Sequence, residues 1–393
     1  MHYDIIIIGG GLVGRSLAYA LHEAPINIAL IDASAQDQAD PRLIALNYGS
    51  FSFLRKLGLW PRLEKYSAPI QKVHASYRGR FGATRLGAQD IQLPALGYVV
   101  PAHRINQALI EAMRDSKQTV TELRPARVKA LELHEHTSHL TIEHSQGSSR
   151  ISGHLILAAD GTESTVRQLL NFETQTLDYQ QSAIVTTSQL GRSHNQIAYE
   201  RFLQDGALAM LPLQTEQGHA CATIWTASNT AITHLQALDD QSFMRELQTQ
   251  FGYRLGRLLN ITQRHTFPLR FIQVKNPLQG NVLLIGNAAH TIHPLAAQGL
   301  NLALYEIAHL SQTLLDNLRH NQSLNQGLEQ KLITFQPKMN LLFSHYLVEL
   351  FTSRVFGIDL ARQLGMAGLD LCPSVKKHLS RLLAMEKMSW LSS

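Results

Sequence analysis

Apolar positions first gather in a short run from Tyr3 to Ile8, rich in β-branched residues and too brief for a helix face, so the pattern predicts a strand. The run stops at Gly9-Gly10-Gly11-Leu12-Val13-Gly14 and passes into Arg15 to His22, where the spacing is helical. A second apolar run, Ile26 to Ile31, closes this βαβ unit at Asp32. Asp40 to Leu46 then leads into a helix through Leu57, with Gly58 as its stop. Ile70 to Leu93 reads as mixed and turn-rich, and Val99-Val100-Pro101 precedes a helix from about Ile105 to Met113. Strands are expected near Ala126 to Leu133, Leu140 to His144 and Leu155 to Ala158.

From Tyr179 to Phe271 the pattern changes to short alternating segments such as Ala183 to Gln189, Ala207 to Leu213 and Ala220 to Trp225. That alternation predicts a mostly antiparallel sheet, with a helix around Asp240 to Phe251. A buried strand, Asn281 to Ile285, opens a last strand-loop-helix unit whose helix is expected from Leu302 to about Leu318. Past Pro337, Leu341 to Phe351 again has helical spacing, and a basic helical stretch begins at Lys376-Lys377.

Composition narrows the class. With 393 residues, 45% hydrophobic and 17% charged, the chain can bury one large core or two linked ones. Its two cysteines, Cys221 and Cys372, form neither a disulfide framework nor a thiolate zinc site, which fits a reducing cytoplasm. A net charge of +5 without a basic cluster interleaved with aromatics argues against nucleic acid as the ligand. No apolar run reaches the length of a membrane span, so any membrane contact is expected to be peripheral. The charge is uneven, because from Lys331 onward eight Lys/Arg face four acidic residues. A basic, amphipathic tail of this kind either packs across the rest of the chain or rests on anionic lipid.

Three places carry candidate chemistry. In the opening unit, Gly9 permits a tight turn, Gly11 lets the backbone approach a pyrophosphate, Gly14 lets the helix pack close, and the Asp32 carboxylate can accept from a ribose. The strand from His154 to Ala159 runs into Asp160-Gly161 and a polar helix start, a second strand-to-helix crossing at which ligands of open α/β sheets bind. The third is Gly286-Asn287-Ala-Ala-His290, followed by His293-Pro294, Ala297 and Gly299-Leu300-Asn301, a loop and helix start that can present N–H groups to electron-rich atoms. His290 and His293 lack a third ligand at sensible spacing, so no metal is expected.

These segments in this order resemble the FAD-dependent aromatic hydroxylases of the p-hydroxybenzoate hydroxylase type, and the resemblance spans nearly the whole chain. Asn287 stands where that family usually has Asp, and Ala297 where it usually has Gly. The Gly-Asn-Ala-Ala variant, together with Arg42-Leu-Ile-Ala-Leu, Glu200-Arg201-Phe202 and Gly206 to Pro212, is similar to the ubiquinone-biosynthesis hydroxylases, in particular the 2-polyprenyl-6-methoxyphenol hydroxylases. The resemblance implies an α/β fold: a Rossmann-like FAD-binding domain of the glutathione reductase type, an inserted α+β substrate domain and a C-terminal helical region. Expected boundaries are 1–70, 101–178 and 273–335 for the FAD domain, 71–100 and 179–272 for the substrate domain, and 336–393 for the helical region.

It also implies a reaction in which NAD(P)H reduces FAD, O2 adds at flavin C4a, and the distal oxygen of that hydroperoxide attacks an electron-rich ring carbon. Implied FAD contacts are Gly9, Gly11, Leu12, Val13, Gly14, Asp32, Arg42, Arg104, Gln107, Asp160 and Gly161 from the first half, then Gly286, Asn287, Pro294, Gly299, Leu300 and Asn301. His293 is the candidate donor to substrate. Implied partners are a polyprenylated phenol, the membrane surface and other enzymes of the pathway. A hydroxylase of some other soluble aromatic compound and a NAD-dependent dehydrogenase remain open as alternatives.

Overall fold

The computed structural model describes residues 1–37, 40–80, 82–116, 120–216, 218–292, 298–329 and 373–384. His293, Pro294, Ala297, Cys372 and the stretch 341–351 lie outside the described residues.

β1 (His2–Ile8), α1 (Leu12–Ala20) and β2 (Ile28–Ile31) form the expected opening unit. The next segment departs from expectation, because residues 43–47 are a strand, β3 (Leu43–Asn47), before α2 (Tyr48–Lys56) begins under an Asn47 cap that accepts from the Ser50 N–H at 2.8 Å. α3 (Trp60–Leu63) and β4 (Ala68–Ile70) follow. The stretch read as turn-rich contains a hairpin, β5 (Lys72–Tyr77) and β6 (Ala83–Gly87), whose polar residues at the sheet's edge mask its alternation. β7 (Gly97–Pro101) feeds α4 (Ala102–Asp115), longer at both ends than expected because its polar first turn carries no apolar period.

β8 (Thr121–Leu123), β9 (Ala126–Glu132), β10 (Ser138–His144), β11 (Gly147–Ala158) and α5 (Thr165–Leu169) come next. The antiparallel stretch comprises β12 (Thr174–Leu190), β13 (Ile197–Phe202), β14 (Ala207–Leu213), β15 (Ala220–Ser228), α6 (Asn229–Ala237), α7 (Asp240–Phe251), β16 (Leu258–Ile261) and β17 (His265–Val274). α6 was not expected; it starts at the Ser228 cap, directly after a strand, where the change of period is short. The chain closes through β18 (Leu278–Gln279), β19 (Val282–Leu284), β20 (His290–Thr291) and α8 (Gln298–Arg319), and the last described element is α9 (Pro373–Ala384). α8 begins four residues before the expected Leu302, so Gly299, Leu300 and Asn301 stand in its first turn rather than in a loop.

In the first sheet, β8, β2, β1, β11 and β19 run parallel in that order. Ile5 and Ile7 face Leu17, Leu109 and Leu304 from α1, α4 and α8, while Ile6 and Ile8 face Leu140, Ile142 and Val166. Both faces are covered, which is why β1 reads as a continuous apolar run rather than an alternating one. β11 does double duty: its first half pairs antiparallel with β10 and its second half parallel with β1. The strand order changes direction at β1, between β2 and β11, so the glycine turn opens at the switch point where such sheets take ligands.

The second sheet has nine strands, in the order β20, β17, β12, β15, β14, β13, β5, β6, with β16 also on β12. α6 and α7 cover one of its faces, packing Ile232, Phe243 and Leu247 onto Ile184, Leu208 and Trp225. The other face meets a small sheet of β3, β7 and β4 through Leu211 and Ala222 against Ile70 and Val99. α9 adds Ala384 to that cluster. Among the described residues no helix is long and apolar enough to cross a membrane.

Candidate functional site

The glycine turn after β1 is built by close approach of backbone. Gly9 has φ +110°, and a Cβ there would collide with the Ala159 carbonyl at the end of β11. A Cβ on Gly14 would collide with the Gly9 carbonyl, and one on Gly10 with the Asp32 carboxylate, a contact the sequence did not flag. Gly11 is different: it is the N-cap of α1, no side chain caps the helix there, and a Cβ would meet no atom within 4 Å. The free N–H groups of the α1 terminus therefore face open space with the partial positive charge of the helix behind them.

A charged network fixes what surrounds this turn. Arg15 is 1% exposed, donates to Asn106 Oδ1 of α4 at 2.7 Å and pairs with Asp37 at 2.7 Å. Arg124 reaches the same Asp37 at 3.1 Å, the Ser34 carbonyl at 3.1 Å and the Asp32 carboxylate at 3.6 Å. Burial pushes the Asp37 carboxyl up, but hydrogen bonds from Arg124 and Arg15 outweigh it and hold the group below its ordinary range. Asp32 accepts the Ser34 N–H at 2.9 Å, which orients the carboxylate while leaving lone pairs for a ligand hydroxyl.

The other two motifs close onto the same place. Asp160 Oδ2 accepts the Val166 N–H at 3.1 Å, whereas its Oδ1 is buried without a partner. Gly161 follows with φ +82°, open on its Cβ side. A Cβ on Gly286 would sit 3.1 Å from Val13 Cγ1, so the third motif touches α1 just behind the glycine turn. Asn287 Nδ2 donates to Thr162 Oγ1 at 3.4 Å, and the Arg167 guanidinium clamps both loops, donating to the Thr162 carbonyl at 2.6 Å and the Ala288 carbonyl at 2.9 Å.

Glu306 of α8 holds the third loop from behind, accepting the Gly286 N–H at 3.1 Å and contacting His290 Nε2 at 2.5 Å. Burial lowers the pKa of His290, yet the Glu306 charge and hydrogen bond outweigh it and raise the group overall. The His290–Glu306 contact thus ties the turn to α8. β20 also pairs with β17, His290 opposite Gln273, which stitches the loop to the large sheet.

Several expected contacts are already engaged. Asn301 accepts the Asn47 N–H at 2.9 Å and donates to the Ala45 carbonyl at 2.8 Å, so its amide joins α8 to β3. Arg42 is half-exposed and paired with Asp40 at 2.6 Å. Arg104 lies 4.1 Å from the Tyr66 ring centre and donates to Gln107 at 2.9 Å, while Gln107 donates onward to Glu111 at 2.8 Å. The α4 side chain that reaches α1 is Asn106, one residue before Gln107. Leu12, Val13 and Leu300 pack partly buried on the main core, and Gly299 has open space at its Cβ.

Arg15, Asp37, Arg124, Arg167 and Glu306 escaped sequence reasoning, because a charged residue outside a motif looks like surface until its partner, often far along the chain, is known. Arg15 and Arg167 did carry a faint signal, since each directly follows a motif.

Near β3 a cleft of about 130 Å³ opens between Pro41 and Leu43 on one side and Val185, Thr187, Gln263 and His265 of the large sheet on the other. The combination is chemically specific. A helix terminus with free N–H groups suits a pyrophosphate, an oriented carboxylate suits a ribose, and an orphaned carboxylate oxygen suits a hydroxyl or N–H of a longer ligand. Strand ends of one sheet supply all three, beside a second sheet that faces a cleft of mixed polar and apolar lining.

The family model described as FAD binding domain matches residues 2–329. The ubiquinone hydroxylase UbiL of Rhodospirillum rubrum is 30% identical over 389 residues, covering 96% of this chain and 88% of that protein. The 3-demethoxyubiquinol 3-hydroxylase of Escherichia coli is 29% identical over 389 residues, covering 95% and 96% respectively. Among solved structures, p-nitrophenol 4-monooxygenase PnpA from Pseudomonas putida has a TM-score of 0.80 at 13% identity, covering 96% of this chain and 97% of that one, a likeness of fold.

Proposed function

The chain belongs to the FAD binding domain family, and from that membership we propose that this FAD-dependent monooxygenase hydroxylates the ring of a polyprenylated methoxyphenol in ubiquinone biosynthesis. The dehydrogenase alternative falls with the family match. The observation that carries the reading is the convergence of Gly9–Gly14, Asp160–Thr162 and Gly286–Asn287 at the ends of three adjacent parallel strands, the second and third tied together by Arg167. The curated relatives include a ubiquinone hydroxylase and a 3-demethoxyubiquinol 3-hydroxylase, which supports the substrate class.

On this reading the α1 terminus receives the FAD pyrophosphate at Gly11, Leu12 and Val13, with Gly9 and Gly14 giving the turn its closeness. Asp32 accepts from the adenosine ribose, and Asp160 Oδ1 accepts from the chain that joins pyrophosphate to flavin. Gly161, Gly286, Asn287, Gly299 and Leu300 line the ring end, and Asn301 holds the α8 terminus against β3. Arg42, Arg104 and Gln107 are rim contacts, each preoriented by a neighbour. When bound, FAD takes electrons from NAD(P)H and supplies one oxygen atom of O2 to the ring. The chain's own part is to seat the phenol against the large sheet, exclude water with the β3 side of the cleft, and donate to the substrate from His293.

We assign residues 1–70, 101–178 and 273–335 to the flavin domain, and 71–100 and 179–272 to the substrate domain. A prenyl tail resides in lipid, and α9 carries Lys376, Lys377 and Arg381 for peripheral contact with an anionic surface.

The test is anaerobic reduction of the purified yellow protein by NAD(P)H with and without 2-methoxy-6-prenylphenol, followed by oxygen. Product one oxygen atom heavier, formed in step with NAD(P)H use, is expected. Peroxide release independent of the phenol, with no hydroxylated product, overturns the reading; faster turnover of the unprenylated methoxyphenol would move it to a soluble aromatic substrate.

A further inference from the structure

Six strands of the large sheet each place one residue on a single transverse row: Ala75, Glu200, Ala209, Ile224, Val185 and His265. Cross-strand partners share a sheet face, so all six point the same way. Val185 and His265 line the cleft. Ala209 and Ile224 are partly buried against the cluster that contains Leu43, Ala45 and Tyr48, and Leu43 also lines the cleft. Glu200 therefore shares a sheet face with Val185 and His265 of the cleft, on a row that passes beneath the β3 cluster. Glu200 lies three strand spacings from Val185, ~14 Å along it.

Among the described residues, most strand neighbours of Glu200 on that face are small or apolar. β13 offers Ala198 and Phe202, β14 offers Ala207, Ala209 and Leu211, and β5 offers Val73 and Ala75. Among the described residues, the phenols of Tyr77 and Tyr179 pack on the Phe202 and Ala207 cluster, and that of Tyr48 on the cluster of Leu211 and Ala222. Arg201 points to the opposite face, where its Nε donates to the Gln250 carbonyl at 2.9 Å. Among the described residues the Glu200 carboxyl has no hydrogen bond or ion pair, and burial is the one influence acting on it. A half-buried carboxyl without a hydrogen-bond or ion-pair partner among apolar side chains is costly to folding, and such groups cluster at functional sites.

Resting on the hydroxylase reading above, we propose that Glu200 is the general base of the reaction, taking the proton of the substrate's phenolic hydroxyl. The O–H bond breaks, the proton is held on a carboxylate oxygen, and the electron pair left on the phenol oxygen spreads into the ring, enriching the carbon that will accept oxygen. As the oxygenated ring regains aromaticity, its C–H bond breaks and that proton ends in the water formed from the second oxygen atom of O2, while the proton on Glu200 returns to the phenol oxygen, leaving the carboxylate ready for another turnover. Burial pushes the Glu200 carboxyl up to about 7, which makes it a far stronger base than an exposed carboxylate. The apolar stretch of Ala209, Ile224 and Val185 then accommodates the substrate's hydrocarbon portion between base and cleft.

The test compares wild type, Glu200→Gln and Glu200→Asp as FAD-loaded proteins. Binding of 2-methoxy-6-prenylphenol near neutral pH is expected to give the ultraviolet difference band of a phenolate in wild type and the spectrum of a neutral phenol in Glu200→Gln. Hydroxylation by wild type should fall as pH drops below about 7, while Glu200→Gln loses that limb and about 100-fold or more in kcat. Glu200→Asp, which keeps a carboxylate, should recover both the limb and part of the rate, and carries the test should the Gln variant not retain FAD. A phenolate band and acid limb unchanged in Glu200→Gln overturn the role of Glu200 while leaving the function standing. A wild-type protein that neither binds nor hydroxylates the phenol overturns both.

Discussion

The glycine turn of the first sheet and the transverse row of the second, assigned above to flavin and to phenol as proposals, are made of different material. Around the turn, backbone is the instrument: Gly9, Gly10 and Gly14 are sites where no side chain fits, and charged side chains are tied down, Arg15 and Arg124 on Asp37 and Arg167 on two carbonyls. Along the row, side chains are the instrument, charges are nearly absent, and the single carboxyl of Glu200 stands unpaired. An anionic dinucleotide needs fixed N–H groups and charges already neutralised, whereas an apolar phenol needs dry surface and one reactive group.

Breaking that contrast should be easiest at Gly14. Gly14→Ala forces a methyl into the Gly9 carbonyl and is expected to cost about 3 kcal/mol and most of the bound flavin, measured by urea unfolding and flavin absorbance. Gly11→Ala sharpens the point: with open space around its Cβ it should leave unfolding unchanged while weakening FAD binding about tenfold, and an unaltered affinity would mean that no phosphate approaches there. Asp37→Asn leaves the Arg15 cation, 1% exposed, without its counter-charge, an expected loss of about 2–3 kcal/mol in urea unfolding. The Asp37 carboxyl is held below its ordinary range, so its stabilisation is present at neutral pH and is lost as pH falls through the folded pKa. Arg167→Ala removes two hydrogen bonds between the second and third loops and should raise the FAD dissociation constant roughly tenfold or more by fluorescence titration, with a smaller effect on unfolding.

The smallest effect lies on the row and has the opposite sign. A carboxyl raised from its ordinary 4.5 to about 7 binds a proton more tightly folded than unfolded, so its ionisation progressively destabilises the fold as pH rises between those values. Glu200→Gln should therefore match wild type below that window and be more stable above it, by about 1–2 kcal/mol in urea unfolding. Equal stability at both ends would mean that the carboxyl is solvated.

How much of this could be read beforehand depended on how local each device is. The strand-turn-helix at Gly9 to Gly14, the acid at Asp32 and the Asp160-Gly161 crossing were legible, because each function sits within a few consecutive residues of its supporting strand. β3 was masked because Leu43 to Leu46 is a short apolar run, equally at home in a strand or a helix, and Leu96 and Val99 across from it decide the matter through pairing. Asn301 looked like a ligand contact, yet its amide is taken up by Ala45 and Asn47, more than 250 residues earlier in the chain.

Periodicity by itself determined the opening βαβ unit, the alternating second region and the order of three motifs, because those are properties of neighbouring residues and of the spacing with which apolar side chains reach one face. Tertiary structure alone decided that β1, β11 and β19 lie side by side so that the motifs meet, that Arg167 and Glu306 lock the loops, and that Glu200 shares a row with Ala209 and Val185. Strand order, register and ion-pair partners are pairwise facts between distant parts of the chain, and they take a definite value only when the sheets close and exclude water.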